Sequence, residues 1–462
     1  MFSDQKTLKW AVGIFCAALA MRIIFLSFFY PAYEARLLEG DSIDYITLAR
    51  NILTHKSFSL DAALPLRPAL SYTPGYPLFL IGASAGTLNL PLILIAQNVV
   101  AALGAVLIFL LGLKILNHLK AAALGAAFYI FEPGTVFFTN QILTEALFLV
   151  CFLAGLLFFL RWLDSRSSAN AALLALFLGL ATYVRPNGQF ILIILLAFMA
   201  TRLWQTRELF SKKAVISLFL PLFIFALVLT PWIIRNKNVT GHRFFSTFGP
   251  YALATRFLPS YFAWEENIPM KAAAEKTKAL LMERGIPAEA FDYEINYDPK
   301  LQGATLKIMA EHPYRYFLSQ LRFIPSFFLS SGWGEIIKIF QGNDSNPPYF
   351  PGGLTKEVLE QIKKQGGSSA LIGSAAGAAF FGLVYIFALF GLGRVFLQMD
   401  KKIIAVFTVV LIAYFFFSTG ELSYSRYRYP VNPIIFTFAT AGFMAFWNRL
   451  HSREAPIPAR LS

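Results

Sequence analysis

Acidic side chains recur at helical spacing in the segment that follows the first apolar run. Asp41, Asp44, Tyr45 and Leu48 stand at positions i, i+3, i+4 and i+7, so a helix here would present two carboxylates and a phenol on one face. A partly desolvated carboxylate in this position can take a proton from an acceptor hydroxyl. The alternative is structural, because Asp41 follows Gly40 and also suits the start of a helix as a capping residue.

Arginines form a second set of candidates at the ends of apolar runs. Arginine binds phosphate through two parallel N–H donors. Arg185 stands on a Val-Arg-Pro turn, and Arg426 and Arg428 alternate with tyrosines, which favours a buried anion site for the last two. Arg235 follows a Pro-Trp pair at the end of a run, and contact with lipid headgroups is the simpler interpretation there.

Three further polar residues occupy apolar surroundings. Glu145 lies one turn inside an apolar run, where an ionisable residue is a functional candidate; it also suits a helix start or a water-reached interface. Arg22 stands within the first run and either reaches toward the headgroups or lines the same cavity. Tyr72 precedes a proline-rich turn and suits either the site or an aromatic belt at the membrane surface.

The elements that must position these residues are membrane helices. Of 462 residues, 57% are hydrophobic and only 14% are charged, whereas soluble domains carry about 25% charged residues. Apolar runs approaching the length of about 20 residues that a spanning helix needs cover residues 8–30, 90–113, 120–138, 141–160, 169–184, 188–204, 214–235, 371–396, 402–419 and 431–448. Prolines and glycines interrupt two shorter runs, 75–88 and 314–340, which we predict to be interfacial or re-entrant. The sequence therefore predicts an all-α polytopic membrane protein.

Lysine and arginine accumulate on one side of this topology. Ten spans place both termini together with most of the basic connections, which predicts a cytoplasmic side. This placement accounts for the net charge of +14 without nucleic acid. The opposite side carries the loop 31–73 and the segment 236–370, which includes a turn-rich stretch at 343–348. We predict a catalytic transmembrane module over 1–235, an outer region with interfacial or re-entrant helices over 236–370, and C-terminal helices with a cytoplasmic tail over 371–462.

Several kinds of site are absent from the sequence. Cys16 and Cys151 both lie in apolar runs and form neither a metal motif nor an expected disulfide. No histidine spacing typical of metal sites occurs, and no glycine-rich nucleotide motif occurs. We therefore predict neither a metal nor another cofactor.

The order of these motifs resembles the GT-C glycosyltransferases, specifically the protein-mannosyltransferase and aminoarabinose-transferase branch, similar to glycosyltransferase family 39. Six short segments carry the resemblance: Asp41 with Tyr45 and Ala49; Pro74-Gly75-Tyr76-Pro77; Leu143-Thr144-Glu145; Tyr183-Val184-Arg185-Pro186; Thr230-Pro231-Trp232-Ile233-Ile234-Arg235-Asn236; and Arg426-Tyr427-Arg428-Tyr429-Pro430. Ser42 stands where the family often has glutamate, and Thr73 stands where aminoarabinose transferases carry lysine. The second difference argues against lipid A modification.

The resemblance implies a bundle of about 10–13 transmembrane helices with short interfacial helices in the outer loops. It implies inverting transfer of a hexosyl or pentosyl group from a polyprenyl-phosphate donor to a hydroxyl or phosphate of a glycan, lipid or protein acceptor. The chain would lie among the lipids of a bacterial inner membrane with its site facing the periplasm. The implied base is Asp41. The implied phosphate ligands are Arg185, Arg426 and Arg428, with Arg235 behind them, and the site would be lined by Asp44, Tyr45, Tyr72, Glu145 and Arg22.

Two other functional classes stay open. A transporter or flippase for a lipid-linked anionic glycan would need polar residues near the bilayer midplane and repeated broken helices. The candidates instead cluster at one predicted face, which favours chemistry over passage. A non-catalytic membrane subunit in glycan assembly is the third hypothesis.

Overall fold

A computed structural model describes residues 4–34, 37–38, 40–292, 294–332, 336, 356–399, 401–422 and 424–452. These residues form helices and no strand, so the predicted all-α class is confirmed. The helices are α1 (Gln5–Tyr33), α2 (Asp41–His55), α3 (Gly75–Ala83), α4 (Leu90–Leu116), α5 (Leu119–Phe131), α6 (Pro133–Phe138), α7 (Glu145–Ser165), α8 (Ser168–Val184), α9 (Ile191–Gln205), α10 (Lys212–Thr240), α11 (Phe248–Ala252), α12 (Leu258–Glu265), α13 (Met270–Glu283), α14 (Leu301–Glu311), α15 (Pro313–Leu321), α16 (Ile324–Leu329), α17 (Lys356–Phe396), α18 (Lys402–Thr419), α19 (Ser425–Arg428) and α20 (Asn432–Ser452).

The long apolar helices correspond to the predicted runs. Within the described ranges, seven are long and apolar enough to cross a membrane: α1, α4, α7, α9 with the turn before it, α10, α17 and α18. Two other predicted runs form the shorter apolar helices α5 and α8, and the last forms α20. The polytopic membrane architecture is thereby confirmed.

One predicted run is broken in the structure. The run 120–138 is divided into α5 and α6 at Glu132 and Pro133. The Glu132 carboxylate accepts N–H groups of Gly134 at 2.9 Å and Thr135 at 2.6 Å, and Pro133 occupies the first helical position, where a missing N–H leaves no bond unmade. The prediction of one continuous helix over 120–138 is therefore wrong, because a capped helix start replaces its middle.

The two proline-interrupted runs do not form long helices. Helix α3 has nine residues and rises about 14 Å, well short of the bilayer core of about 30 Å. The described part of 314–340 forms the short helices α15 and α16. The turn-rich stretch 343–348 and the tail after residue 452 lie outside the described residues.

The C-terminal helices pack closely on one another and on the N-terminal bundle. A Cβ built on Gly391 of α17 would lie 1.9 Å from the carbonyl oxygen of Phe438, and one on Gly442 of α20 would lie 2.0 Å from that of Phe387. Small residues let membrane helices approach in this way. Because α20 also packs against α4 and α5, the short α19 before it is brought next to helices far away in sequence.

The outer region forms a small helical layer with its own apolar core. This core contains Leu258, Tyr261 and Leu281, together with Leu301 and Ile308. Backbone hydrogen bonds from Leu70 to Glu294 (2.8 Å) and from Thr247 to Leu70 (3.1 Å) tie the layer to the first outer loop. The loop therefore lies between the membrane bundle and the outer layer. The predicted division into regions at residues 235 and 370 stays a prediction.

Candidate active site

Four charged residues from distant parts of the chain form a series of ion pairs beside α2. Arg426 Nη2 lies 2.8 Å from Asp41 Oδ2, and Arg426 Nε donates to Glu145 Oε1 at 2.5 Å. Arg185 Nη1 donates to the same Glu145 oxygen at 2.7 Å. We call these four residues the ion-pair cluster. Two carboxylates balance two guanidinium groups, so the cluster is neutral as a whole.

Exposure increases across the cluster from Glu145 to Asp41. The side chain of Glu145 is 0% exposed, those of Arg185 and Arg426 are 14% and 13% exposed, and that of Asp41 is 44% exposed. A buried charge is tolerated only when it is paired, so Glu145 depends on both arginines. The positive charge of Arg426 holds the pKa of the Asp41 carboxyl below its usual range, although burial acts in the opposite direction. Asp41 is the member that an incoming molecule reaches most easily.

The start of α2 directs Asp41 toward Arg426. Gly40 adopts φ +54°, a left-handed conformation that glycine adopts without strain, and Asp41 is the first helical residue. Gly40 occupies the cap position and no side chain caps this helix, so the alternative of Asp41 as a capping residue is wrong. Ser42 Oγ donates to the Ile142 carbonyl at 3.0 Å. This bond ties the start of α2 to the turn that precedes Glu145.

Local turns position the Glu145 and Arg185 side chains. Glu145 begins α7, which matches the helix-start alternative and not a position one turn inside a longer helix. Arg185 ends α8 before a short turn, as the sequence predicted. A Cβ on Gly75 would lie 2.5 Å from the Tyr183 carbonyl oxygen, so α3 packs directly against the end of α8. The second Glu145 oxygen, Oε2, is buried and has no hydrogen-bond partner among the described residues.

Asp44 lies beside the cluster without joining it. Tyr72 donates its hydroxyl to Asp44 Oδ2 at 2.6 Å. The Tyr45 ring meets the rings of Tyr72 and Tyr76 edge-on, with centroids 5.4 and 4.9 Å apart. Burial, together with the negative charge of Asp41, raises the pKa of Asp44, and the Tyr72 hydrogen bond opposes this shift. The structure thus places Asp44, Tyr45 and Tyr72 along the Asp41 side of the site.

Gln97 is a site residue that the sequence reasoning missed. Its Nε2 donates to the carbonyls of Thr139 at 2.9 Å and Gln141 at 2.6 Å, and its Oε1 accepts the Tyr76 hydroxyl at 2.7 Å. Gln97 and Tyr76 are fully buried. The amide therefore fixes the turn that leads into Glu145. An amide inside the apolar run 90–113 was the signal available in the sequence.

Tyr427 is the second missed residue. Its ring lies under both guanidinium groups, 5.6 Å from Arg185 and 5.9 Å from Arg426. A guanidinium over an aromatic ring is stabilised by the negative face of the ring. Tyr427 therefore contacts both arginines that pair with Glu145.

Arg428 points away from the cluster. Its guanidinium lies 3.9 Å from the Phe381 ring centroid, and four of its five N–H donors are already bonded. Their acceptors are the carbonyls of Phe327, Phe328 and Ser330 and the side chain of Asn432. The structure therefore gives Arg428 a role in holding α16 against α20, and it does not bring Arg428 to a phosphate site.

Arg235 also holds backbone. Its Nη1 donates to the Ala69 carbonyl at 2.9 Å and its Nη2 to the Phe58 carbonyl at 3.3 Å, and the guanidinium lies 4.7 Å from the Trp232 ring. It therefore fastens the first outer loop to α10. The structure therefore supports neither the predicted contact of Arg235 with lipid headgroups nor a place for it beside the ion-pair cluster.

Arg22 is fully buried in α1 and reaches neither the headgroups nor the cluster. Its Nη1 donates to the Ala18 carbonyl at 3.1 Å, and the guanidinium lies 4.7 Å from the Tyr129 ring. Nε and Nη2 have no hydrogen-bond partner in the part of the chain that the structure describes. The structure therefore supports neither the headgroup contact nor the site-lining position that the sequence left open, because the side chain stays inside the bundle.

Comparison with known proteins places this geometry in a family context. Residues 91–243 match the family model of dolichyl-phosphate-mannose-protein mannosyltransferase, and this range includes Glu145 and Arg185. No curated protein sequence matches the chain. The fold is similar to that of the archaeal oligosaccharyltransferase AglB from Archaeoglobus fulgidus, which was solved with an inhibitory peptide and a dolichol-phosphate. The two sequences are 14% identical, the match covers 98% of this chain and 52% of that chain, and the TM-score is 0.52. The resemblance to the GT-C glycosyltransferases is confirmed.

A second solved structure agrees with the first. The Archaeoglobus fulgidus oligosaccharyltransferase tethered to an acceptor peptide is 14% identical, with 99% of this chain and 51% of that chain covered and a TM-score of 0.51. The chain therefore spans about half the length of the solved proteins that it matches. The family model over residues 91–243 and the fold therefore both point to the same class of membrane proteins.

The chemistry available at the ion-pair cluster is that of charges and hydroxyls. Among the described residues, no three histidines, cysteines or carboxylates lie close enough together to hold a metal ion. Arg426 bridges Asp41 Oδ2 and Glu145 Oε1. The arrangement offers an accessible carboxylate next to two guanidinium groups, which suits proton removal beside an anion.

Proposed function

We propose that this membrane glycosyltransferase moves a sugar from a polyprenyl-phosphate carrier to an acceptor hydroxyl, with inversion at the anomeric carbon. The observation that carries the proposal is the ion-pair cluster, which brings a reachable carboxylate within 2.8 Å of an arginine. The family match over 91–243 supports a lipid-phosphate sugar as donor. AglB was solved with a dolichol-phosphate, and that likeness of fold also supports a lipid-phosphate ligand here.

The proposed reaction is a single displacement. Asp41 accepts the proton of the acceptor hydroxyl while that oxygen forms a bond to the anomeric carbon. The bond between the anomeric carbon and the donor phosphate oxygen breaks, and its electron pair leaves with the lipid phosphate. Arg426 and Arg185 stabilise the negative charge that develops on this leaving group. Attack from the side opposite the phosphate inverts the anomeric configuration.

The neutrality of the cluster determines how the phosphate can enter. Both arginines are already paired with carboxylates, so a phosphate must take over one of these contacts. Glu145 is fully buried, whereas the Asp41 side chain is 44% exposed. The phosphate therefore replaces Asp41 at Arg426 Nη2. This exchange releases Asp41 from its ion pair as the donor arrives, and the freed carboxylate is then a stronger base.

The proposed orientation follows from the charge distribution of the loops. The ion-pair cluster lies on the side opposite the lysine- and arginine-rich connections, which the positive-inside rule assigns to the cytoplasm. We place the site at the periplasmic face of a bacterial inner membrane, with both termini in the cytoplasm. The acceptor is a glycan, lipid or protein that reaches this face.

The test is transfer by the purified protein in lipid nanodiscs. A panel of radiolabelled polyprenyl-phosphate sugars is offered together with hydroxyl acceptors, and the anomeric configuration of the product is determined by NMR. We expect transfer by the wild type and none by Asp41→Asn at an unchanged thermal unfolding temperature. Full transfer by a folded Asp41→Asn variant, or retention of configuration, contradicts the mechanism.

A further inference from the structure

A second group of positively charged residues lies at the opposite end of the bundle from the ion-pair cluster. Arg166 follows the last residue of α7, and Arg202 lies in the last turn of α9. The Nε atoms of both arginines, and the indole Nε1 of Trp162, are buried without a hydrogen-bond partner among the described residues. We call Trp162, Arg166 and Arg202 the basic pocket. Three buried donors without an acceptor in neighbouring helix ends are unusual, because buried N–H groups normally find an acceptor.

The protein balances the charge of the basic pocket only in part. The Arg166 guanidinium lies over the Trp162 ring at 5.0 Å from its centroid. Burial, and next the positive charge of nearby Arg202, lower the pKa of Arg166. The nearest carboxylate partner is that of Glu208, at 4.0 Å from Arg166 Nε, which is too long for a hydrogen bond. This carboxylate is itself 52% exposed and is therefore well solvated.

The surroundings of the basic pocket are those of a membrane interface. Trp204, two residues after Arg202, is 70% exposed, and Phe210 is 95% exposed. Large apolar side chains exposed at the end of a spanning helix, tryptophan above all, are typical of the headgroup level of a bilayer. The Arg166 side chain is 18% exposed, and Arg202 is also partly exposed, so both reach the surface at this level.

We propose that the basic pocket binds the phosphate of an anionic phospholipid headgroup. The phosphate oxygens supply the hydrogen-bond acceptors that the arginine Nε atoms lack. The negative charge of the phosphate also offsets the repulsion between the two guanidinium groups. The exposed Trp204 and Phe210 would pack against the acyl chains, which favours a lipid over free phosphate. Basic pockets between helices on the cytoplasmic side bind such headgroups in other membrane proteins. The site lies away from the proposed sugar-transfer site and does not depend on it.

The experiment compares lipid binding to matched charge variants. Delipidated protein is titrated with phosphatidylglycerol, phosphatidylcholine or inorganic phosphate, and bound lipid is counted by native mass spectrometry. Arg202→Gln and Lys212→Gln each remove one positive charge from the same face, but Lys212 is an exposed lysine outside the basic pocket. We expect Arg202→Gln to weaken phosphatidylglycerol binding about fivefold and Lys212→Gln to change it less than about twofold.

Each outcome decides the proposal. Equal losses in the two variants would mean that bulk charge attracts the lipid, which overturns a specific site. Phosphate binding as tight as phosphatidylglycerol binding would overturn the lipid assignment. If Arg202→Gln does not fold, Arg202→Lys replaces it, because lysine keeps the charge and loses the planar fork of donors. Binding fully retained in Arg202→Lys likewise contradicts the proposal.

Discussion

Replacing Asp41 with asparagine should abolish transfer and, at the same time, strengthen the binding of lipid phosphate. In the proposed mechanism, phosphate displaces the Asp41 carboxylate from Arg426 Nη2. Asparagine is nearly the same size and carries no charge, so phosphate no longer competes with a carboxylate for Arg426 Nη2, while Arg426 Nε stays paired with Glu145. Loss of catalysis together with tighter binding is expected only if Asp41 is both the base and the competitor for Arg426.

The size of the effect follows from the exposure of the pair. A desolvated charge-assisted hydrogen bond contributes about 1.5–3 kcal/mol, and a solvent-exposed ion pair contributes about 0–1 kcal/mol. Asp41 is 44% exposed and Arg426 is 13% exposed, with 2.8 Å between their atoms, so the pair lies near the boundary between these ranges, at about 1 kcal/mol. Because 1.4 kcal/mol corresponds to a tenfold change, Asp41→Asn should bind polyprenyl monophosphate about fivefold more tightly.

The assay is a titration of the protein in nanodiscs with a short-chain polyprenyl monophosphate, and the heat of binding is measured by isothermal calorimetry. Asp44→Asn is the matched control, because Asp44 lies three residues away and accepts a hydrogen bond from Tyr72 rather than from an arginine. We expect its affinity to change less than about twofold. Unchanged or weaker binding by a folded Asp41→Asn variant would refute the exchange of Arg426 between carboxylate and phosphate.

The pH dependence of transfer gives an independent check of the same exchange. Arg426 lowers the pKa of Asp41 in the free protein, and the bound phosphate removes that influence by occupying Arg426. The acid limb of kcat/KM reports the free enzyme and that of kcat reports the complex. Because the base must be deprotonated, the acid limb of kcat should lie at higher pH than that of kcat/KM. Identical acid limbs contradict the exchange.

Three further substitutions separate the site from its supports. Glu145→Gln leaves two guanidinium groups without their buried counter-ion and should lower the free energy of unfolding by about 3–5 kcal/mol, as measured by denaturant unfolding. An unchanged unfolding midpoint would mean that water enters this region and solvates the arginines. Arg428→Gln should lower the thermal unfolding temperature and leave the Kd for polyprenyl monophosphate within about twofold, whereas weaker lipid binding at unchanged stability would return Arg428 to the phosphate site. Gln97→Leu should lower kcat about tenfold at a nearly constant KM, because the turn before Glu145 loses its anchor. The control Asn51→Leu removes an amide that bonds carbonyls in the first outer loop, and a loss of kcat as large as that of Gln97→Leu would contradict a specific role for Gln97.

The sequence predicted the membrane architecture and the charged residues Arg185 and Arg426, because both follow from patterns that extend along the whole chain. Apolar length identified the spans, and the scarcity of basic residues in the outer connections made Arg185 and Arg426 stand out. The sequence could not separate Arg426 from Arg428. Two residues on a helix that are two positions apart are rotated by about 200° around the helix axis. They therefore point to nearly opposite sides, so one enters the site and the other faces the bundle.

The sequence did not predict the break between α5 and α6 or the role of Gln97, for a different reason. Hydropathy averages over a window, whereas a helix cap depends on one carboxylate and its two N–H partners, as at Glu132. Likewise, Gln97 matters through carbonyls 42 and 44 residues away in sequence. Contacts of this kind depend on tertiary packing, which spacing along the chain does not reveal.

The graded exposure of the ion-pair cluster also indicates where acceptor choice arises. The Glu145 side chain is 0% exposed and that of Asp41 is 44% exposed, so in the proposed mechanism an acceptor hydroxyl approaches from the Asp41 side, where Asp44 and Tyr72 lie. The first outer loop is bonded to the outer layer at Leu70 and Thr247 and to α10 through Arg235. A change in the outer layer therefore moves the walls around the base without altering the charges that bind the donor. Substitutions in the outer layer should consequently change the KM for the acceptor, while the KM for the donor responds to Arg185 and Arg426.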